Sequence, residues 1–187
     1  MSPSDTPPAA ECAAPSRSLL QRAAVAVATG FGLGRSPFAP GTVGSFLGIP
    51  LVLAFSLLDG RPGIQIALAL ALAAVAIPVC GIAERHFGRK DPGCIVADEY
   101  LLLPIPFIGR GPLWEWLSGA DVPRAIALLV AGFLVARICD ICKPTPVRQS
   151  QALPGGLGIV VDDFLASLYA WVLLWGFDGH LLDRLLG

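Results

Sequence analysis

The sequence predicts an all-α protein, a compact multi-helix bundle embedded in a membrane through about four spanning or re-entrant helices. Three observations predict it. Hydrophobic residues make up 55% of the 187 residues and charged residues only 14%, against roughly 25% charged in soluble domains. Mean hydropathy is +0.70, and apolar runs reach the length of a bilayer crossing. No segment alternates apolar and polar residues as a half-buried strand does. The same composition excludes disorder, collagen and coiled coil. A net charge of -1 provides no basic field for a phosphate backbone, so nucleic acid is not a partner. A soluble helical bundle is the alternative, because two of the expected spans are short.

The elements follow in order. Residues 1–16 hold four prolines with Ser, Ala and Asp and read as a disordered tail; residues 17–187 read as one helical domain. Residues 17–29 form a short helix, placed at the interface. Ser45–Leu58 is apolar, and Asp59-Gly-Arg-Pro62 is a polar turn. Ile66–Ala83 carries no charged or strongly polar side chain over 18 residues, about 27 Å of helix against a hydrocarbon core of roughly 30 Å. Pro78 lies within it, as a membrane helix tolerates. Ile95–Ile108 is apolar apart from Asp98 and Glu99 and is broken by Pro104 and Pro106. Gly109–Asp121 is a loop with Trp114 and Trp116, suited to a headgroup region. Pro123–Cys142 is a helix that ends at Lys143, ahead of Pro144. Gly158–Phe177 is the last long apolar helix, and an amphipathic tail follows.

Folding the 13 cations onto this hairpin plan places nine (Arg17, Arg22, Arg35, Arg85, Arg89, Lys90, Arg137, Lys143, Arg148) on one side and four (Arg61, Arg110, Arg124, Arg184) on the other. The positive-inside bias makes the first side cytoplasmic. It also gathers there three polar, glycine-rich segments, 30–45, 84–99 and 137–163.

Those segments carry the chemistry. In 30–45, glycines and prolines surround Arg35, Ser36, Thr42 and Ser45 just before an apolar helix, with Thr42 placed as N-cap. Amides at a helix start, hydroxyls and one arginine suit a phosphate; an irregular turn that uses glycine for positive φ suits the pattern as well. No Gly-Lys-Ser/Thr follows, and no strand precedes, so neither nucleotide fingerprint is present. Asp98-Glu99 and Asp162-Asp163 each sit just inside an apolar helix, and Arg137, Asp140 and Lys143 are spaced by three along one helical stripe. Carboxylates at membrane depth point to function. Gathered at one place they repel unless cations neutralise them, and their hard oxygens favour Mg²⁺ over zinc. Structural salt bridges to Arg137, Arg148 or Lys143 are the competing reading. Cys139-x-x-Cys142 stands without a second pair or nearby histidines, so packed thiols suit it better than zinc.

The ordered set Gly32-Leu-Gly-Arg-Ser-Pro-Phe-Ala-Pro-Gly-Thr-Val-Gly-Ser45, Asp98-Glu99, Arg137-Ile-Cys-Asp140-Ile-Cys-Lys143-Pro-Thr-Pro146 and Gly155-Gly156-Leu-Gly-Ile159 through Asp162-Asp163 resembles the phosphatidylglycerophosphatase A family. The resemblance covers about residues 25 to 175. It implies a compact all-helical, Mg²⁺-dependent lipid phosphatase that removes the terminal phosphate of phosphatidylglycerophosphate to give phosphatidylglycerol. Two positions depart from the family pattern: Leu102 and Ser167 stand where it often has glycine.

The resemblance implies a division of roles. Glu99, Asp140, Asp162 and Asp163, in some combination, hold Mg²⁺. Lys143 and Arg137 neutralise phosphoryl charge. Arg35, Ser36, Thr42, Ser45 and Lys143 bind the phosphate, and Asp98 acts as base. The lipid substrate enters from the inner leaflet of a bacterial-type cytoplasmic membrane, with the site facing the cytoplasm. The rival class is a small membrane transporter or channel subunit whose acidic pairs line an ion path. An idle assembly protein that holds a partner on the charged stripe is a third.

Overall fold

The computed structural model describes residues 18–142, 147–150 and 153–177. The expected tail at 1–16, Lys143 and the amphipathic end lie outside the described residues. Every described element is helical: α1 (Leu19–Ala28), α2 (Pro40–Ser45), α3 (Gly48–Ser56), α4 (Pro62–Phe87), α5 (Ala97–Leu102), α6 (Leu113–Glu115), α7 (Val122–Cys142), α8 (Val147–Ser150) and α9 (Gly156–Phe177), with tighter turns at Gly30–Arg35 and Ile105–Phe107 and a wider one at Trp116–Ala120.

Local chemistry sets the ends. Ser18 caps α1, its Oγ accepting from the Gln21 amide at 3.1 Å. α4 begins at Pro62, where the missing N–H costs nothing. It runs unbroken through Pro78 and stops at Gly88, whose φ of 67° suits a residue without Cβ. Two expected apolar segments divide. Ser45–Leu58 splits between α2 and α3, and Ile95–Ile108 becomes α5 plus a short turn at Pro104 and Pro106. Three helices among the described residues are long and apolar enough to cross a membrane: Pro62–Phe87, Val122–Cys142 and Gly156–Trp175.

α9 is the central post, packed against α4 on one side and α7 on the other. Half of its apolar window is buried, against 28% for α4 and 22% for α7. One core forms where α1, α4, α5 and α9 meet, around Ala76, Cys80, Val96, Leu102 and Val160. Leu102, at a position where the family pattern often has glycine, fills this core and is fully buried. A second core joins α3, α7 and α9 around Val52, Phe107, Leu128 and Ala170. Close backbone approach decides two crossings. A Cβ on Gly156 would lie 2.5 Å from the Gly81 amide and nearer still to the Ile77 carbonyl, so α9 approaches α4 this closely because residue 156 is glycine. On α7, a Cβ at Gly132 would stand 2.5 Å from Phe107 Cε1 and nearer still to Cζ.

The region around the start of α4 and the 105–111 turn is tied by buried polar bonds. Gln65 donates to the Phe55 carbonyl at 2.8 Å and accepts from the Gly109 amide at 3.1 Å. Arg110, counted from sequence among the outer flanking cations, is instead buried. Its Nη2 donates to the Trp171 carbonyl at 2.6 Å, and its guanidinium lies 5.2 Å from the Trp175 ring centre. The Trp171 indole returns a bond to the Ile108 carbonyl at 3.0 Å. Short turns of tight geometry and an aromatic lid desolvate this arginine, which is why a loop-region cation left the surface.

Candidate active site

The motif residues converge where α2, α5, α7 and α9 meet. One cavity there is lined by Ser45, Glu99, Leu103, Ala136, Arg137, Asp140, Asp163, Ala166 and Ser167, and it encloses space of the order of a single water molecule. Glu99 and Asp163, 64 positions apart in the chain, face the same small volume.

Each side chain arrives there for a local reason. Glu99 stands in the first turn of α5, where a carboxylate suits the helix start. Arg137 and Asp140 lie one turn apart on α7, so both point to one face. Asp163 is on the second turn of α9. Ser45 ends α2. Arg137 Nη1 is 2.7 Å from Glu99 Oε2 and 3.0 Å from Asp140 Oδ2. One nitrogen thus bridges two carboxylates, with the Arg137 and Glu99 side chains 15% and 14% exposed. The Ser45 hydroxyl lies 2.7 Å from Glu99 Oε2 and 2.8 Å from the Gly41 carbonyl, so its single proton goes to one or the other.

Gly41 was not singled out from sequence, and it shapes the site. A Cβ there would stand 2.9 Å from both Cδ and Oε2 of Glu99, and closer still to Oε1. The main chain of α2 therefore forms one wall of the Glu99 carboxylate. Only the folded contact reveals this, since glycines are scattered through the whole segment.

Burial works against ionisation. It pushes the Glu99 carboxyl up to about 7, while the Arg137 guanidinium pulls it back down. Burial also holds Asp98 well above the usual carboxylate range, reinforced by the neighbouring charge of Glu99. Asp98 is buried and does not line the cavity, and its Oδ1 has no hydrogen-bond partner among the described residues. Arg137 Nε is likewise buried with no partner among the described residues.

The remaining predicted residues fall elsewhere. Thr42 lies inside α2 and is not its N-cap; Ala39, in a left-handed conformation, holds that position. Arg35 is exposed, Ser36 bonds its own loop through Phe38, and neither they nor Thr42 line the cavity. Asp162 is buried beside Asp163, its Oδ1 accepting from the Asp163 amide at 3.1 Å. Ser167, where the pattern often has glycine, adds a hydroxyl-bearing residue to the wall. Cys139 is buried and Cys142 exposed, both free thiols. Among the described residues no three His, Cys, Asp or Glu side chains already stand at metal-holding spacing. The site instead holds its carboxylates around a guanidinium. Its carboxylate oxygens fit a hard divalent cation, and the buried Arg137 Nε fits an anionic group.

Fold and site together define an all-helical protein, rich in membrane-length helices, with a carboxylate–arginine centre near one end. A sequence model described as phosphatidylglycerophosphatase A matches residues 26–178, and the chain belongs to that family, whose members are phosphoric monoester hydrolases. It is 32% identical over 157 residues to the Escherichia coli phosphatidylglycerophosphatase A, covering 82% of each chain. It is 32% identical over 165 residues to the Haemophilus influenzae phosphatidylglycerophosphatase A, covering 83% of this chain and 89% of that one. A Bacteroides thetaiotaomicron protein with the provisional name phosphatidylinositol-3-phosphatase is 33% identical over 157 residues, covering 80% of this chain and 90% of that one. No solved structure matches.

Proposed function

We propose that this protein is a phosphatidylglycerophosphatase of the bacterial inner membrane, and that it hydrolyses the terminal phosphate monoester with Mg²⁺. The observation that carries the reading is a cavity in which Glu99, Asp140 and Asp163, from three separate helices, meet Arg137 and Ser45. Glu99, Asp140 and Asp163 would hold the cation. When bound, Mg²⁺ supplies Lewis acidity at a phosphoryl oxygen and a water of lowered pKa.

The chain's own groups do the rest. Arg137 already neutralises two carboxylates, and it is placed to neutralise the negative charge of an arriving phosphate. Ser45 can turn its proton from the Gly41 carbonyl toward a phosphate oxygen. Lys143, one residue past the end of α7, adds a second cation in this reading. Proton transfer falls to a carboxylate that lines the cavity, and Asp98 does not. Water adds to phosphorus, the lipid alkoxide leaves and takes a proton, and inorganic phosphate is released. Nine cations on the inner side and four on the outer support a cytoplasm-facing site, and the burial of Arg110 sharpens that asymmetry.

The relatives' names carry two headgroups, and both are phosphate monoesters on a phospholipid. The test is phosphate release by purified protein from phosphatidylglycerophosphate and from phosphatidylinositol 3-phosphate, across a Mg²⁺ series, for wild type and Asp163→Asn. Release from phosphatidylglycerophosphate that needs Mg²⁺ and falls in the variant supports the proposal. No release at any Mg²⁺ level defeats it, and preference for the inositol lipid reassigns the substrate.

A further inference from the structure

The glycine-rich segment 30–45 is only partly used by the cavity. Ser45 reaches it, while residues 30–39 do not. Their geometry is that of a pinned loop. The Gly32 and Gly34 amides both bond the Thr29 carbonyl, at 3.1 and 2.9 Å, and the Ser36 amide bonds the Leu33 carbonyl at 3.0 Å. The Ser36 hydroxyl donates to the Phe38 carbonyl at 2.9 Å and accepts from the Phe38 amide at 3.3 Å. Gly34 lies so close to the Cys94 carbonyl that any Cβ would collide with it. The Val96 amide donates to the Ala28 carbonyl at 2.8 Å, fixing the loop level with the chain that enters α5 and carries Glu99.

This loop, so held from within, turns its large side chains outward. Phe31 is 74% exposed, Phe38 81% and Leu33 41%. Phe31 does so from a left-handed backbone at φ 55°, ψ 28°, which an aromatic residue rarely adopts. A strained backbone that presents an unburied aromatic gains nothing inside the molecule, so its return lies in what the ring meets outside. Arg35, also exposed, sits between the two aromatics. Apolar side chains beside a cation match the boundary between acyl chains and anionic headgroups. The long helices expose apolar stripes of the same kind, such as Ile126, Val130, Leu134 and Ile138 on α7.

We infer that the Gly30–Ala39 loop is a membrane-interface wedge: Phe31, Leu33 and Phe38 enter the cytoplasmic leaflet while Arg35 meets anionic headgroups, setting the depth at which the Ser45–Glu99 cavity receives a lipid phosphate. This rests on the reading of α4, α7 and α9 as spans, and the occupant is phospholipid. A second copy of the chain is the competing occupant.

The test places benzoylphenylalanine at Phe31, Phe38 or Val130 in the full chain, in vesicles of phosphatidylethanolamine and phosphatidylglycerol. Illumination should give lipid adducts at all three positions. Lipid adducts at Val130 alone overturn the wedge and leave the spanning reading intact. No lipid adduct at Val130 overturns both, and protein–protein adducts at Phe31 or Phe38 replace the bilayer by a second copy. A kinetic arm uses the double variant Phe31→Ser, Phe38→Ser. The KM for vesicle-borne substrate should rise roughly tenfold or more, since removing one buried aromatic from an apolar phase is worth at least that factor. Turnover of a water-soluble glycerophosphate should stay unchanged. Equal losses on both substrates overturn the proposal.

Discussion

Gly41→Ala is the sharpest probe of the site, because the change is one methyl group and the backbone tolerates it. Gly41 lies inside α2 with no positive φ, so alanine suits the helix at least as well. The new Cβ would nevertheless stand 2.9 Å from Glu99 Cδ, where ordinary contact begins at 3.4 Å, and closer still to Oε1. The carboxylate has to retreat by at least 0.5 Å, and by about 1 Å at Oε1. It cannot retreat freely, since Arg137 holds Oε2 at 2.7 Å and the Ser45 hydroxyl packs against it at the same distance. Overpacking of this kind costs about 1–3 kcal/mol, and a misplacement of about 1 Å in a catalytic group costs on the order of 100-fold in rate. The expected result is a kcat/KM for phosphate release from the proposed lipid substrate down about 100-fold, with the helical circular dichroism retained. Wild-type turnover in Gly41→Ala would refute the placement of Glu99 in the reacting centre.

Three further outcomes are expected. Arg137→Ala leaves Glu99 and Asp140 without their shared cation; a fully buried pair broken this way loses about 3–5 kcal/mol, and the partial exposure of both side chains reduces that, so urea unfolding should show a smaller loss, with Arg137→Lys recovering part of it. The folded pKa of Glu99, raised to about 7 from 4.5, makes stability fully present below the unfolded value and lost as pH rises through about 7; thermal unfolding of cation-free protein across that range should show the slope, and Glu99→Gln should flatten it. Gly156→Ala drives a methyl into the Ile77 carbonyl and the Gly81 amide, so it should lower the melting temperature by several degrees for a loss of about 1–3 kcal/mol and separate α4 from α9.

Much of the fold was legible in the sequence because apolar length and punctuation are local properties. Eighteen uncharged residues at Ile66–Ala83, Pro62 ahead of them and Gly88 after them suffice to place α4. The breaks at Pro104 and Pro106 were readable for the same reason. The acidic pairs and the Arg137–Asp140 stripe were legible as an exception: charge within apolar sequence is expensive, so its presence marks a site before any contact is known. The sequence could not rank the members of each pair. Glu99 and Asp163 line the cavity, while Asp98 is buried outside its lining, because helix rotation is fixed by packing against neighbours. Thr42 looked like a cap, but Ala39 took the left-handed turn one residue ahead of Pro40.

The amino-acid order alone thus determined which segments are helical, where the costly charges lie and which family shares the motifs. Only the tertiary structure decided that one arginine nitrogen joins Glu99 to Asp140, that Gly41 walls the carboxylate, that Arg110 is buried and that the Gly30–Ala39 loop turns its aromatics outward. The physical reason is the range of the forces: propensity and hydropathy act over a few neighbours, whereas these contacts need chain segments tens of residues apart to approach within about 3 Å.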